Sequence, residues 1–278
     1  MSYSKIISHN SLYMLLGRLI NFIISALLIA LITRYLGVSG FGQFATILSY
    51  IALFGVLSDF GIHNTITRKI ATQDIFEDEI SRYFIFKIIL TALMSLLSVI
   101  IAWNIGYEMI IKIGITIFSI AGVLMALFSF NSALFHGKLK VKQFTLADVL
   151  GRAAILVCVF YSVKNDFGLL GIIISYIIGD LVSYLLSLYW LSKFYRLNAR
   201  VIMNWENINL IIKESFPLGV IMILTTIYFR GDLIILSLLK PSYDVGIYGS
   251  SVKIIDIVLS FPIVIMAVIY PVMATLSR

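Results

Sequence analysis

Charge is scarce in this chain. Only 13% of its 278 residues are Asp, Glu, Lys or Arg, while 60% are hydrophobic. A soluble domain is about a quarter charged. With a mean hydropathy of +1.03, the apolar surplus exceeds what one globular core can hide, so the solvent for much of the surface is lipid. Cysteine is nearly absent. Cys158, the single one, excludes an intrachain disulfide, and within its apolar run it reads as a small packing residue. A secretory signal is absent too: the first apolar run, 12–36, is too long for an h-region, holds Arg18 and Asn21, and precedes no small-residue cleavage site. The three histidines, His9, His63 and His136, lie far apart near run ends. No metal-ligand spacing, Gly-rich phosphate loop with lysine or nucleophile–base motif occurs. The expectation is therefore no enzyme, no catalytic residue, no metal and no cofactor. Finally, the net charge of +7 is spread through short gaps between apolar runs, which argues for membrane orientation and against a nucleic-acid partner.

What is there is a series of eight apolar runs: 12–36, 43–63, 83–104, 109–135, 145–163, 168–191, 216–239 and 246–272. A helix needs about 20 such residues to cross a bilayer. Helices are required because backbone polar groups must be satisfied inside lipid, and the period-2 alternation of a membrane barrel is missing. The gaps alternate in character. Arg68, Lys69 and Arg82 follow the second run, Lys138, Lys140 and Lys142 the fourth, and Lys193, Arg196, Arg200 and Lys213 the sixth. Basic residues favour the cytoplasmic side, so both termini are expected there, with short hairpins outside. Tyr35, Trp103, Tyr107, Trp190 and Tyr270 stand near run ends, as interfacial aromatics do. The domain reading is a six-helix lobe over 1–191, a cytoplasmic connector with room for a surface helix over 192–215, and two further helices over 216–278.

Two of the outer hairpins are alike. "TRYLGVSGFGQFATILSY" (33–50) and "SLLKPSYDVGIYGSSVKI" (237–254) are both rich in glycine and aromatics. A shift of 204 residues lays Gly42-Gln43-Phe44-Ala45 on Gly246-Ile247-Tyr248-Gly249 and brings the flanking apolar runs into register. Six crossings separate the copies, and an even number preserves orientation. The pattern is a parallel repeat about an axis along the membrane normal.

The stretch "GRLINFIISALLIALITRYLGVSGFGQFATILSYIALFGVLSDFGIHNTITRKIA" (17–71) resembles the start of bacterial polysaccharide flippases. These form the oligosaccharide-lipid branch of the superfamily that also holds the multidrug and toxin extruders. The R-Y-L-G-x-x-x-F-G-x-F turn and the S-D-F-G ending carry the likeness, which resumes at "FPLGVIMILTTIYFRGDLIILSLL" (216–239). The resemblance implies an all-α, polytopic, MATE-like fold of two six-helix lobes in an inverted V around a central cavity. It implies a place in the bacterial inner (cytoplasmic) membrane and export of undecaprenyl-pyrophosphate-linked oligosaccharides by alternating access. A polysaccharide polymerase and a chain-length regulator are the implied partners. In that scheme the 278 residues hold one complete lobe and two helices of the second, about four helices short of the family pattern.

A lipid-linked pyrophosphate sugar has an anionic head, and ionisable residues within membrane runs are functional candidates. Arg18, Arg152, Arg230 and Lys253 are the candidate substrate contacts. Arg18 has no acid in residues 11–36 to neutralise it, and Arg230 stands mid-run. The candidates for ion coupling or charge pairing are Asp148, Asp180, Asp232 and Asp256. Asp148 and Arg152 share a helix face at i,i+4. Asp180 is a candidate for coupling or for pairing with Arg152 or Arg230. Asp232 is a candidate partner of Lys253 across the hairpin, and Lys253 also lies i,i+3 from Asp256. Asp59 and Lys87 read as residues of the membrane edge or helix end. The rivals are a cation-coupled drug antiporter, which would want a lone carboxylate in the first helices; a membrane glycosyltransferase or polymerase, which would want a large outer loop; and a non-transporting scaffold or truncated remnant.

Overall fold

The computed structural model describes residues 3–72, 76–138, 140–193, 204–253 and 255. Helix α1 runs Tyr3–Asp59, a length of 57 residues. Drawn straight it would measure about 85 Å at 1.5 Å per residue, far beyond a bilayer's hydrocarbon core. Gly37, at φ 67° and ψ −176°, interrupts it. The contacts on either side show that the chain doubles back there. Tyr35, before the bend, donates to Asp166 at 2.7 Å, and Gln43, after it, donates to Glu108 at 2.6 Å. Asp166 and Glu108 both lie in connections at one end of the bundle. Gly17 packs on Thr145 and Asp59 pairs with Lys87 toward the other end. These are the hairpin end and the basic end.

After α1 come the short α2 (Ile62–Ala71), then α3 (Glu77–Asn104), α4 (Met109–Gly137), α5 (Val141–Lys164), α6 (Gly168–Leu191) and α7 (Trp205–Leu239). Residues 242–253 are helical again. Six of these elements are long and apolar enough to cross a membrane, and α1 does so twice by its bend. The described residues thus supply seven crossings and the start of the eighth expected one. Residues 256–272 of that last run lie outside the described residues. Large side chains such as Ile89, Leu93, Leu96 and Ile100 on α3 are exposed, as a lipid-facing stripe requires.

The two arms of α1 pack with α3 to α6 as one bundle. Its centre holds Leu28, Ile32, Ile47, Ile115, Phe118 and Ile172. Small residues let α5 and α6 approach closely: Ser162 bonds the Gly171 carbonyl at 3.2 Å and the Ser175 hydroxyl at 3.0 Å. Such hydrogen bonds between membrane helices contribute about 1 kcal/mol each. A second cluster at the basic end joins Ile62, Ile66 and Ile70 of α2 to Phe130, Leu134, Leu191 and Ile211. Ile211, Ser215 and Gly219, four residues apart, form the buried stripe of α7. This helix therefore starts at Trp205, capped by the Asn204 side chain accepting from the Asn207 amide at 2.9 Å, and takes in residues 205–215 of the connector stretch.

The second arm of α1 ends at Asp59, short of the 63 that hydropathy suggested, because Phe60 (φ 46°) and Gly61 (φ 79°) turn left-handed. A Cβ on Gly61 would stand 2.5 Å from the Gly219 nitrogen and 2.6 Å from the Ser215 oxygen. The S-D-F-G ending is thus a turn packed backbone to backbone on α7. Gly61→Ala combines left-handed strain with overpacking and should cost about 2–4 kcal/mol. A thermal unfolding midpoint in detergent checks it, and an unchanged midpoint would contradict this role for the turn.

Candidate functional site

A cavity of about 670 Å³ opens between the bundle and α7 with its following helix. That volume suits a sizeable ligand. Ala45, Leu233 and Gly249 form its hairpin-end roof, while Asp59, His63, Lys87 and Phe144 line it toward the basic end. Seven of its lining side chains are Asp, Lys or Arg: Asp59, Lys87, Asp148, Arg152, Asp180, Arg230 and Lys253.

Five of the eight sequence candidates meet here. Asp148 and Arg152 face each other along α5 at 3.4 Å, and Asn21 on the first arm of α1 donates to the other Asp148 oxygen at 2.5 Å. Asp180 on α6 lies near both, but no ion pair among the described residues includes it, and its Oδ2 is buried without a hydrogen-bond partner there. Arg230 on α7 and Lys253 on the last helix line the opposite wall. Among the described residues the bundle wall therefore carries two ion pairs and the Asp180 carboxylate, and the facing wall carries Arg230 and Lys253.

Two of the other three candidates lie elsewhere. Arg18 is exposed and absent from the cavity lining. Asp232 accepts from the Tyr248 hydroxyl and from the Leu233 amide, so its partner across the hairpin is Tyr248. Asp256 lies outside the described residues.

Sequence reasoning placed Asp59 and Lys87 at the membrane edge or a helix end, and Asp59 is indeed the last residue of α1. Both line the cavity, joined at 2.5 Å, with the Lys87 side chain 1% exposed. The reason is the start of α3. Counted from residue 83, Lys87 is near an end; counted from Glu77, it sits about 15 Å along the helix. The signal was the acidic stretch before the run, which is favourable in a helix's first turn.

The hairpin end of the cavity is closed by backbone contact. A Cβ on Gly42 would fall on the Ser242 carbonyl oxygen, and one on Gly246 would fall on the Val38 carbonyl oxygen. These are the same two positions taken twice: Val38 and Ser242, like Gly42 and Gly246, are 204 residues apart. The repeated hairpins thus meet about a local two-fold axis, each offering the other the same patch. Glu108 braces the contact, accepting from Gln43 at 2.6 Å and from Ser242 at 2.7 Å, and the Tyr107 and Ser237 hydroxyls bond at 2.9 Å.

At the basic end, Lys69 of α2 bridges Glu79 of α3 at 2.5 Å and Glu214 of α7 at 2.7 Å. Tyr83 also donates to Glu214. Burial opposes the Lys69 charge, but Glu214 and Glu79 outweigh it and hold the ammonium above the usual lysine range. Among the described residues, no group of three or more His, Cys, Asp or Glu is placed to hold a metal ion.

The family model for "Polysaccharide biosynthesis protein" matches residues 7–277. Curated relatives assigned as O-antigen transporters include one from Shigella dysenteriae, 22% identical over 227 residues, and one from Escherichia coli K12, 23% identical over 259 residues. They cover 80% and 87% of this chain, which spans only 56% and 59% of their length. Among solved structures, the MATE multidrug transporter DinF-BH, solved as a ligand complex, matches with a TM-score of 0.69 at 13% identity, over 97% of this chain and 65% of its own. A MOP-superfamily transporter from Pyrococcus furiosus, reported with a binding pocket of reversed polarity, matches with a TM-score of 0.61 at 15% identity, over 90% and 62%. These likenesses show a MATE-like fold. With a match over nearly all of its residues, this multi-pass membrane chain belongs to the polysaccharide biosynthesis protein family.

Proposed function

We propose that the chain forms the cargo-binding part of a flippase for undecaprenyl-pyrophosphate-linked oligosaccharides in the bacterial cytoplasmic membrane. The observation that carries this is the cavity's charge. Among the described residues that line it, Lys87, Arg152, Arg230 and Lys253 outnumber Asp59, Asp148 and Asp180, and two of the four cations stand on the wall formed by α7 and the helix after it. Arginine and lysine in a cavity of mixed polarity suit a pyrophosphate. The family match and the O-antigen transporter relatives support the same cargo class. The basic gaps support a cytoplasmic basic end and N-terminus. A cavity sealed at the hairpin end then receives cargo from the inner leaflet. The prenyl tail stays in lipid, the sugars occupy the cavity, and rocking of the lobes exposes the head outside for a polymerase and its chain-length regulator. The chain acts as a carrier and makes or breaks no covalent bond.

A cation-coupled drug antiporter is the second reading, and the fold shared with a multidrug transporter favours testing it directly. The chain in lipid nanodiscs is titrated with undecaprenyl pyrophosphate, undecaprenol and the lipophilic cation tetraphenylphosphonium. The pyrophosphate should bind at least about tenfold tighter than the alcohol, reflecting one or more charge-assisted contacts. Saturable binding of tetraphenylphosphonium, with no preference for pyrophosphate over alcohol, would replace the flippase reading with the antiporter one.

A further inference from the structure

The least accessible charge on the cavity wall is Lys87. Its pairing with Asp59 is unlike the Asp148–Arg152 pair, in which Arg152 is 43% exposed on the same helix as its acid. Lys87 and Asp59 come from different helices, and both are largely withdrawn from solvent. Stability alone gives little reason for such a pair, because well-packed apolar residues of similar size serve a buried position as well or better. Nor is the pair saturated. Lys87 has three N–H groups and, among the described residues, one acceptor, Asp59 Oδ1 at 2.5 Å. Asp59 Oδ2 is buried with no hydrogen-bond partner there. A buried carboxylate oxygen without a donor is expensive, and here it belongs to a residue lining a large cavity.

Asp59 is also the last residue of α1 before the left-handed Phe60–Gly61 turn. That turn rests on the α7 backbone at Ser215 and Gly219. The same helix α7 carries Arg230 into the cavity. A shift of α7 against the bundle therefore acts on the support of Asp59, whereas Lys87 is held within α3.

We propose that Asp59–Lys87 is an exchangeable ion pair, in which a phosphate of the cargo displaces Asp59 and takes Lys87 as its contact on the bundle wall. This rests on the anionic-cargo reading above. Asp59 then serves as the stand-in anion that neutralises Lys87 before cargo binds, and Lys87 with Arg230 holds the pyrophosphate from two different helices. The ligand class is a phosphate or pyrophosphate monoester on a lipid. No bond is made or broken beyond the exchange of hydrogen bonds and charges.

The test is binding of undecaprenyl pyrophosphate to the whole chain in nanodiscs, by titration calorimetry, for the parent, Lys87→Gln, Asp59→Asn and the double variant Asp59→Asn/Lys87→Gln. Lys87→Gln should weaken binding about tenfold, the loss of one charge-assisted contact. Asp59→Asn should tighten it severalfold, because the competing anion is gone. The double variant keeps a neutral hydrogen-bonded pair in place and carries the test even where a single variant leaves one charge stranded and fails to fold. It should bind about tenfold more weakly than the parent. Parent-like affinity in the double variant, or weakening by Asp59→Asn in a folded protein, would show a structural pair and overturn the exchange. A parent that does not bind the probe at all would instead overturn the anionic-cargo reading, and the exchange with it.

Discussion

Gly42→Leu should unseal the hairpin end of the cavity. A cysteine at Ser49, which lines the cavity and is 6% exposed, then becomes reactive to a membrane-impermeant maleimide from the hairpin side, with Cys158 replaced by alanine. The closure has no room for a side chain. A Cβ at Gly42 falls on the Ser242 carbonyl and stands 2.8 Å from the Gly246 nitrogen. Neither obstacle is the far end of a flexible side chain; both are backbone of the facing helix, so the helices must part. Overpacking of this kind costs about 1–3 kcal/mol. Charged entirely to the closed state, about 2 kcal/mol shifts the closed-to-open ratio roughly thirtyfold, and the labelling rate should rise by a similar factor. Gly106→Leu is the control, in the hairpin-end connection between α3 and α4, with nothing within 4 Å of its Cβ and outside the cavity lining. It should leave labelling unchanged. Equal rates for Gly42→Leu and the parent would mean that the hairpin contact does not bar the way into the cavity.

The repeat was legible because it left two kinds of trace, run lengths and a Gly–aromatic turn, that composition alone preserves. Its physical content, Gly42 and Val38 seated on Ser242 and Gly246, needed coordinates, since a 204-residue offset says that two segments are alike and not that they touch. Hydropathy also found seven of the crossings but misjudged where three helices begin or end, the start of α3 at Glu77 among them. Trp205–Lys213 is too polar for a membrane run, yet Ile211 and Ser215 continue the buried stripe of α7. Residues 60–63 are apolar enough to extend the second run, but the left-handed Phe60–Gly61 turn stops it. Of the charges, Asp148 and Arg152 were readable because i,i+4 spacing fixes their geometry. Asp59–Lys87 and Asp232–Tyr248 were not, because their partners lie on different helices. Arg18 shows the converse. Its lack of a local acid marked it as a candidate, while whether an exposed side chain reaches the cavity lining is a matter of packing.

The double variant Arg152→Gln/Arg230→Gln should reduce undecaprenyl pyrophosphate binding by at least about a hundredfold. The two guanidinium groups line the cavity from α5 and α7. Each charge-assisted contact to a phosphate contributes about 1.5–3 kcal/mol, so the loss of two falls at or above that factor even with incomplete additivity. Arg230→Lys should recover part of the loss, because a lysine retains the charge without the bidentate fork. Arg152→Gln alone removes the partner of Asp148, but the Asn21 side chain still donates to that carboxylate at 2.5 Å, and the fold should survive. Asp180→Asn separates charge from shape. Removing a carboxylate from the wall that faces Arg230 and Lys253 should tighten the anion by about threefold or leave it unchanged, since screening by water limits an exchange of this kind. Arg18→Gln should stay within about twofold of the parent, as an exposed side chain outside the lining predicts. If Arg18→Gln instead produced the large loss and the cavity double did not, the anion would be captured at the membrane surface. The cavity charges would then act on a later step, and the entry of the head group, not its residence between the lobes, would set affinity.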